Sequence, residues 1–199
     1  MATRRADGER TRAKVLEVAL PLFAAHGYAG TSIRMISSAA GVNVATLAYH
    51  FEDKEGLYRT VVQRLHEDLS SAFPSTPPPG DPSKLLRWYL ESAWQFCVDH
   101  REHNRVLLRH VLDRGALPDV VVDNWSESLM QRAVLVLRML RPDVPEVRIR
   151  LLISTVQHLL VRFVLEDPAQ FARIVGTDAE VGTVVVDHLE ELVRGQLGL

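Results

Sequence analysis

Apolar residues recur at helical spacing along nearly the whole chain. Between Arg10 and Ala25, Val15, Leu16, Ala19, Leu22 and Phe23 line one face, and Gly27 and Gly30 end the run. Pro21 lies inside it; it has no N–H to give the carbonyl of Glu17, which predicts a bend there. A short second helix fits Ser32 to Ala39, with Ile33, Ile36 and then Ala40 on one side. Gly41 breaks that pattern, and Asn43 is placed to cap a third helix over Val44 to His50. Asp53 and Glu55 mark a fourth N-terminus, whose apolar face runs through Leu57, Tyr58, Val61, Val62, Leu65 and Leu69 to about Ser71. Five prolines and one glycine between Pro74 and Ser83 predict a loop. Later helices are expected at about 83–99, 101–113, 119–140, 145–166 and 179–196, with 167–176 among the separators. No strand alternation, internal repeat or long heptad series survives inspection. The class is all-α.

Composition changes this picture little. In 199 residues, 47% hydrophobic and 24% charged types describe a soluble globular chain of one or two domains. Cys97 is the single cysteine, which excludes an internal disulfide and a multi-cysteine zinc module. The basic start lacks both an 18-residue apolar run and a cleavage pattern, so neither a membrane span nor a secretory signal is expected, and residence is expected to be cytoplasmic. Charge is more informative. The net value of -2 divides into +2 over residues 1–60 (eight Lys/Arg, six Asp/Glu) and -4 over the remainder (fifteen and nineteen). Arg4, Arg5, Arg10, Arg12 and Lys14 head the chain against Asp7 and Glu9, a hint of an anionic partner at that end.

Residues 31–58, TSIRMISSAAGVNVATLAYHFEDKEGLY, place two short amphipathic helices either side of Ala40-Gly41-Val42-Asn43. This is helix-turn-helix spacing. Ile33 and Ile36 hold the first helix to a core, Val42 plugs the turn, and Leu47 and Phe51 hold the second helix from behind. Its other face is left with Ala45, Thr46, Tyr49 and His50, groups small or polar enough to approach a duplex groove. A plain helical hairpin satisfies the same spacing.

The segment resembles the DNA-binding end of the TetR family of bacterial transcriptional regulators. The likeness rests on LFAAHGYAGTSI at the end of the leading helix, IRMISSAAGVNVATLAYHF, and EDKEGLY at the start of the fourth helix. It covers residues 10–60 densely; beyond them only length and helical character agree. The resemblance implies a helix-turn-helix domain over 1–52. It implies a helical ligand-binding and dimerisation domain over 53–199, joined by a connecting helix at about 53–71. Thr31, Asn43, Thr46, Tyr49, His50 and Lys54 match the family's phosphate-facing positions, with Arg34 a further candidate. Val44, Ala45 and Ala48 match positions facing base edges. Three residues depart from the pattern: Pro21, Val44 and Ala48. The third helix carries no Arg or Lys, so bidentate guanine reading cannot come from it.

By the same resemblance the chain is expected to bind a palindromic operator as a homodimer, pairing through about 145–166 and 179–196. Val147, Leu151, Val156, Leu159 and Leu160 supply apolar surface on the first of these helices. Val181, Val184, Val185, Leu189, Leu192 and Val193 supply it on the second. The family's C-terminal helices enclose an inducer, here expected to be a largely apolar small molecule. Trp88, Trp94 and Trp125 are candidate contacts, beside Phe96, Met130 and Phe163. Gln157, His158 and Arg162 interrupt an apolar helix and face either that pocket or the twin subunit. No catalytic constellation, cofactor loop or metal motif appears; HREHNR at 100–105 lacks the partners a metal site needs. A ligand-responsive repressor is therefore the leading reading. The alternative is a helical small-molecule carrier or enzyme with a vestigial helix-turn-helix; an architectural DNA protein with no inducer is a third.

Overall fold

The computed structural model describes residues 2–72, 81–116 and 127–199, with the backbone alone at 2–5, 65–72, 82–83 and 127–129. Among the described residues there is helix and no strand. The helices are α1 (Ala2–Gly30), α2 (Ile33–Ala40), α3 (Val44–Phe51), α4 (Lys54–Ala72), α5 (Pro82–Asp99), α6 (Arg101–Arg114), α7 (Glu127–Leu140), α8 (Glu146–Leu165), α9 (Pro168–Val175) and α10 (Val181–Leu197).

Two compact units emerge. The first comprises Met1–Asp68 with Glu102–Val122, the second Leu69–Arg101 with Asp123–Leu199. In the first, Val15, Ala19, Phe23, Ile36, Leu47, Leu57 and Val62 are almost fully buried. Each of these side chains larger than alanine contributes roughly 1.5–3 kcal/mol by leaving water. In the second, Leu86 and Leu90 of α5, Val134 and Leu137 of α7, Ile149 and Leu160 of α8, and Val185 and Leu189 of α10 share one core. Arg87 ties α5 to α10, its guanidinium 2.6 Å from Asp187 and 3.2 Å from Glu190. Gly182 lets α10 lie against Trp94; a Cβ there would run into the indole.

Helix α1 contains Pro21, and its backbone departs from helical geometry at Gly27, one of the two glycines expected to end the run (φ 70, ψ 176). Pro21 and Glu17 both face solvent, so the carbonyl that loses its partner is within reach of water, whereas the Gly27 conformation is essentially closed to side chains. The stretch 167–176, taken as a separator, contains α9. Asp167 caps it by accepting from Gln170 N at 2.8 Å, Pro168 occupies its first turn, and Gly176 ends it in the left-handed region. Phe171 alone is buried from this helix, edge-on to Phe163 at 5.4 Å.

The α3–α4 corner is unusually tight. Glu52 adopts φ 67, ψ -66, and Asp53 N donates to Phe51 O at 2.8 Å, closing a γ-turn of the strained positive-φ kind. Asp53 then caps α4 by accepting from Gly56 N at 2.8 Å. A Cβ on Gly56 would strike the Phe51 carbonyl oxygen. Gly56→Ala is therefore expected to lower unfolding free energy by about 2 kcal/mol. Glu52→Gly removes the positive-φ strain, offset by the freedom glycine gains when unfolded, and is expected to leave stability level or raise it by up to about 1 kcal/mol. Urea midpoints check both.

Candidate nucleic-acid interface

Alternate devices fix the two short helices that present the surface. Ser32 caps α2 through Met35 N, 3.2 Å away. Gly41 ends it at φ 63, its N–H turned back to the carbonyls of Ser37 and Ser38. Asn43 Oδ1 then accepts from Thr46 N at 2.6 Å and from Thr46 Oγ1 at 2.9 Å, starting α3. Leu47 and Phe51 enter the core, and what remains outside is Val44, Ala45, Ala48 and Tyr49. Tyr49 is 85% exposed, its ring edge-on to His50 at 5.1 Å. Val44 is 45% exposed, a large apolar group presented to water.

Thr31 departs from its expected role. It is buried, and its hydroxyl lies 2.8 Å from the carbonyl of Gly27 and 3.1 Å from that of Leu22, to which it donates. The buried hydroxyl is engaged by these backbone carbonyls, so it is not available to a phosphate. Arg34 is exposed, and His50 is half-buried.

Lys54 is half-buried and joins a cluster the sequence did not announce. Its ammonium sits 4.2 Å from the centroid of the Tyr28 ring, and the Arg114 guanidinium lies 4.8 Å from the same ring. Arg114 also grips Glu55 with two nitrogens, at 3.1 and 3.3 Å. The guanidinium holds the Glu55 carboxyl below its usual range, while burial and Glu55 raise the Tyr28 phenol. One turn back on α6, His110 Nδ1 is 3.0 Å from Tyr58 Oη, and the two rings stack at 5.6 Å. Burial pushes the Tyr58 phenol up to about 12. Burial first, and Arg114 second, lower the His110 pKa. Spacing could not reveal this pairing, because Tyr58 and His110 are 52 residues apart.

The other predicted residues fall in the second unit or outside the described residues. Trp88 and Trp94 are half-buried, Trp94 against the core and Gly182. Trp125 lies outside the described residues. On α8, Gln157 is half-buried. His158 is exposed, with Nδ1 2.6 Å from the Ser154 carbonyl, and Arg162 is exposed and paired with Glu166 at 2.7 Å. Among the described residues, no three His, Cys, Asp or Glu side chains are placed to hold a metal, and no helix is long and apolar enough to cross a membrane.

Residues 15–61, from the first buried turn of α1 into α4, match the family model described as bacterial regulatory proteins, tetR family. Over that segment the chain is similar to the tetR family. It is similar to the HTH-type transcriptional repressor NicS of Pseudomonas putida, with 28% identity over 110 residues, 55% of this chain and 52% of that one. It is also similar to the HTH-type transcriptional regulator AcrR of Shigella flexneri, with 31% identity over 113 residues, 53% and 49% of the two chains. The chain spans about half the length of these curated relatives. A solved TetR-like transcriptional regulator from Rhodococcus sp. RHA1 shares the fold at TM-score 0.68 and 22% identity, covering 95% of this chain and 97% of that one. The tetR match thus includes Tyr28, Lys54, Glu55 and Tyr58 but not their α6 partners, His110 and Arg114.

The buried histidine has a pH consequence. Its folded pKa lies below the ordinary value near 6.5. As pH falls through that ordinary value the unfolded chain takes up a proton that the folded chain resists. The contribution is fully present above about pH 6.5 and is lost as pH falls toward the folded pKa. The thermal midpoint is expected to drop between pH 7.5 and 5.5. His110→Gln, which keeps a polar partner for Tyr58, should flatten that drop; differential scanning calorimetry checks it.

Proposed function

We propose that this chain is a ligand-responsive transcriptional repressor that binds a palindromic operator in duplex DNA as a homodimer. The observation that carries the reading is the division of α3. Leu47 and Phe51 are buried behind it, while Val44, Ala45, Ala48 and Tyr49 lie exposed on the capped helix. Small and hydrogen-bonding groups on a rigid eight-residue helix suit insertion into a major groove. The relatives named as repressor and regulator support the same conclusion.

In this reading Asn43, Thr46, Tyr49, His50 and Lys54 meet phosphates, and Val44, Ala45 and Ala48 face base edges. DNA reading is assigned to residues 1–52. Ligand binding and pairing are assigned to 53–199, with 53–71 as the connecting helix. Pairing uses the helices at about 145–166 and 179–196, because α8 leaves Val147 and Leu151 each 64% exposed. Val156, Leu160, Val185, Leu189 and Val193 are already spent on the protomer's own core. His158 and Arg162, exposed on α8 like Val147 and Leu151, go to this interface rather than to a pocket. The inducer is a small molecule with a substantial apolar part, bound near Trp88 and Trp94. It releases DNA by favouring a state in which the two reading heads are wrongly spaced.

Sedimentation should give a dimer, and a genomic inverted repeat should be retained with a log affinity against log salt slope of about -5, from about six phosphate contacts. Lys54→Ala should weaken operator and random duplex by similar factors and reduce the slope by about one. Tyr49→Phe should weaken both, less than Lys54→Ala does. A monomer that retains no genomic fragment would leave the carrier or enzyme reading in its place. A bound hydrophobic compound should quench tryptophan emission and lower DNA affinity together.

A further inference from the structure

We propose that the outer face of α3 reads the 5-methyl group of pyrimidines, so that thymine and 5-methylcytosine are equivalent at the positions it faces. The inference rests on the reading of α3 as DNA-facing and names the base chemistry that this face selects. The structure divides the side chains of α3, VATLAYHF, by use. Leu47 and Phe51 are buried. Thr46 is half-buried, and its hydroxyl donates to Asn43 Oδ1 at 2.9 Å, where its backbone N–H also ends. Tyr49 and His50 sit at the C-terminal end, ring edge to ring. The front of the helix offers Val44, Ala45 and Ala48 outward, methyl groups with no side-chain donor or acceptor. Ala48 lies four residues from Val44 and three from Ala45, so they adjoin on one face with Cβ atoms roughly 5–6 Å apart. Against a rise of about 3.4 Å per base pair, this patch covers about two steps.

Base chemistry identifies what suits such a face. In the major groove guanine presents N7 and O6, adenine N7 and N6, cytosine N4, and thymine O4 beside a C5 methyl. Of these groups only the methyl gains by contact with hydrocarbon. A polar edge pressed against Val44, Ala45 and Ala48 loses water and receives no hydrogen bond in return. The face therefore attracts a methyl and penalises an edge without one. It holds nothing to separate the O4 of thymine from the N4 amine of 5-methylcytosine, which carries the same methyl at the same ring position. No cation on α3 competes for guanine, because the helix has no Arg or Lys. Cations that adjoin it belong to other elements and pack on rings, Arg12 at 5.3 Å from the Phe51 centroid and Lys54 at 4.2 Å from that of Tyr28. The face is also rigid. Alanine has no rotamers to lose, and valine in a helix has one favoured χ1. Both ends of α3 are fixed, by Asn43 in front and the turn at Glu52 behind, so methyl contact requires little ordering on binding.

The test varies the methyl on the DNA and the contact on the protein. A duplex enriched by the full parent chain from a randomised library is remade with deoxyuridine for thymine, one symmetric pair of positions at a time. A second series places cytosine or 5-methylcytosine, each paired with guanine, at the same positions. Fluorescence anisotropy at fixed salt gives affinities for the parent and for Val44→Ala, an exposed change whose folding circular dichroism confirms. At about two adjacent positions deoxyuridine should weaken the parent about fourfold per half-site, the factor that one buried methyl supplies. Cytosine there should be as poor as deoxyuridine, and 5-methylcytosine should restore the affinity of thymine. Val44→Ala should narrow the ratio of thymine to deoxyuridine at one position and leave it unchanged at the others, which a merely structural valine would not do. Deoxyuridine that binds like thymine at every position overturns the proposal, as does 5-methylcytosine that binds no better than cytosine. A ratio left unchanged throughout by Val44→Ala overturns it as well. A parent chain that enriches no sequence removes the α3 reading and this proposal with it, which none of the other results does.

Discussion

An eight-residue helix cannot hold its own shape in water, and α3 is such a helix. Its conformation is borrowed. Leu47 and Phe51 are sunk in the first unit's core, Asn43 caps the front, and the strained turn at Glu52 closes the rear. Everything proposed for the outer face depends on that fastening. With both large apolar residues turned inward, the outward positions are free to be alanine, valine and tyrosine, which a folding argument alone would not select. Losing either anchor would cost about 2–5 kcal/mol by cavity formation, a large part of the stability of an ordinary domain.

Around this scaffold charged groups pack against aromatic rings. Tyr28 lies close to both Lys54 and Arg114, Phe23 meets Tyr58 edge-on at 5.0 Å, and Tyr58 stacks on His110. The start of α4 is therefore fixed by side chains from α1 and α6 as well as by its own cap at Asp53. The Lys54 ammonium is placed against the Tyr28 ring. Arg114, bound to Glu55 and lying over Tyr28, extends that order to the last turn of α6.

Legibility in the sequence follows the range of the interactions. Ser32, Gly41 and Asn43 act within four residues of themselves, so the boundaries of α2 and α3 could be read directly. The all-α class was equally open, being written in apolar spacing. Helix α9 was missed although Asp167, Pro168 and Gly176 form a complete start and stop signal; one buried side chain, Phe171, left too little apolar periodicity to notice. Thr31 was assigned to a phosphate, but its hydroxyl is engaged by the carbonyls of Gly27 and Leu22, four and nine residues back. The Tyr58–His110 and Glu55–Arg114 pairs join segments more than fifty residues apart, and no local pattern encodes them.

The central claim is that the exposed face of α3 reads bases, and selection from a random duplex library tests it most directly. The parent chain should enrich an inverted repeat. Val44→Asn, which exchanges a methyl-bearing surface for an amide able to pair with adenine, should enrich a repeat altered at corresponding positions of both half-sites and otherwise unchanged. An enriched sequence that is identical for the parent and for Val44 and Ala48 variants would contradict the account, because those residues would then face no base.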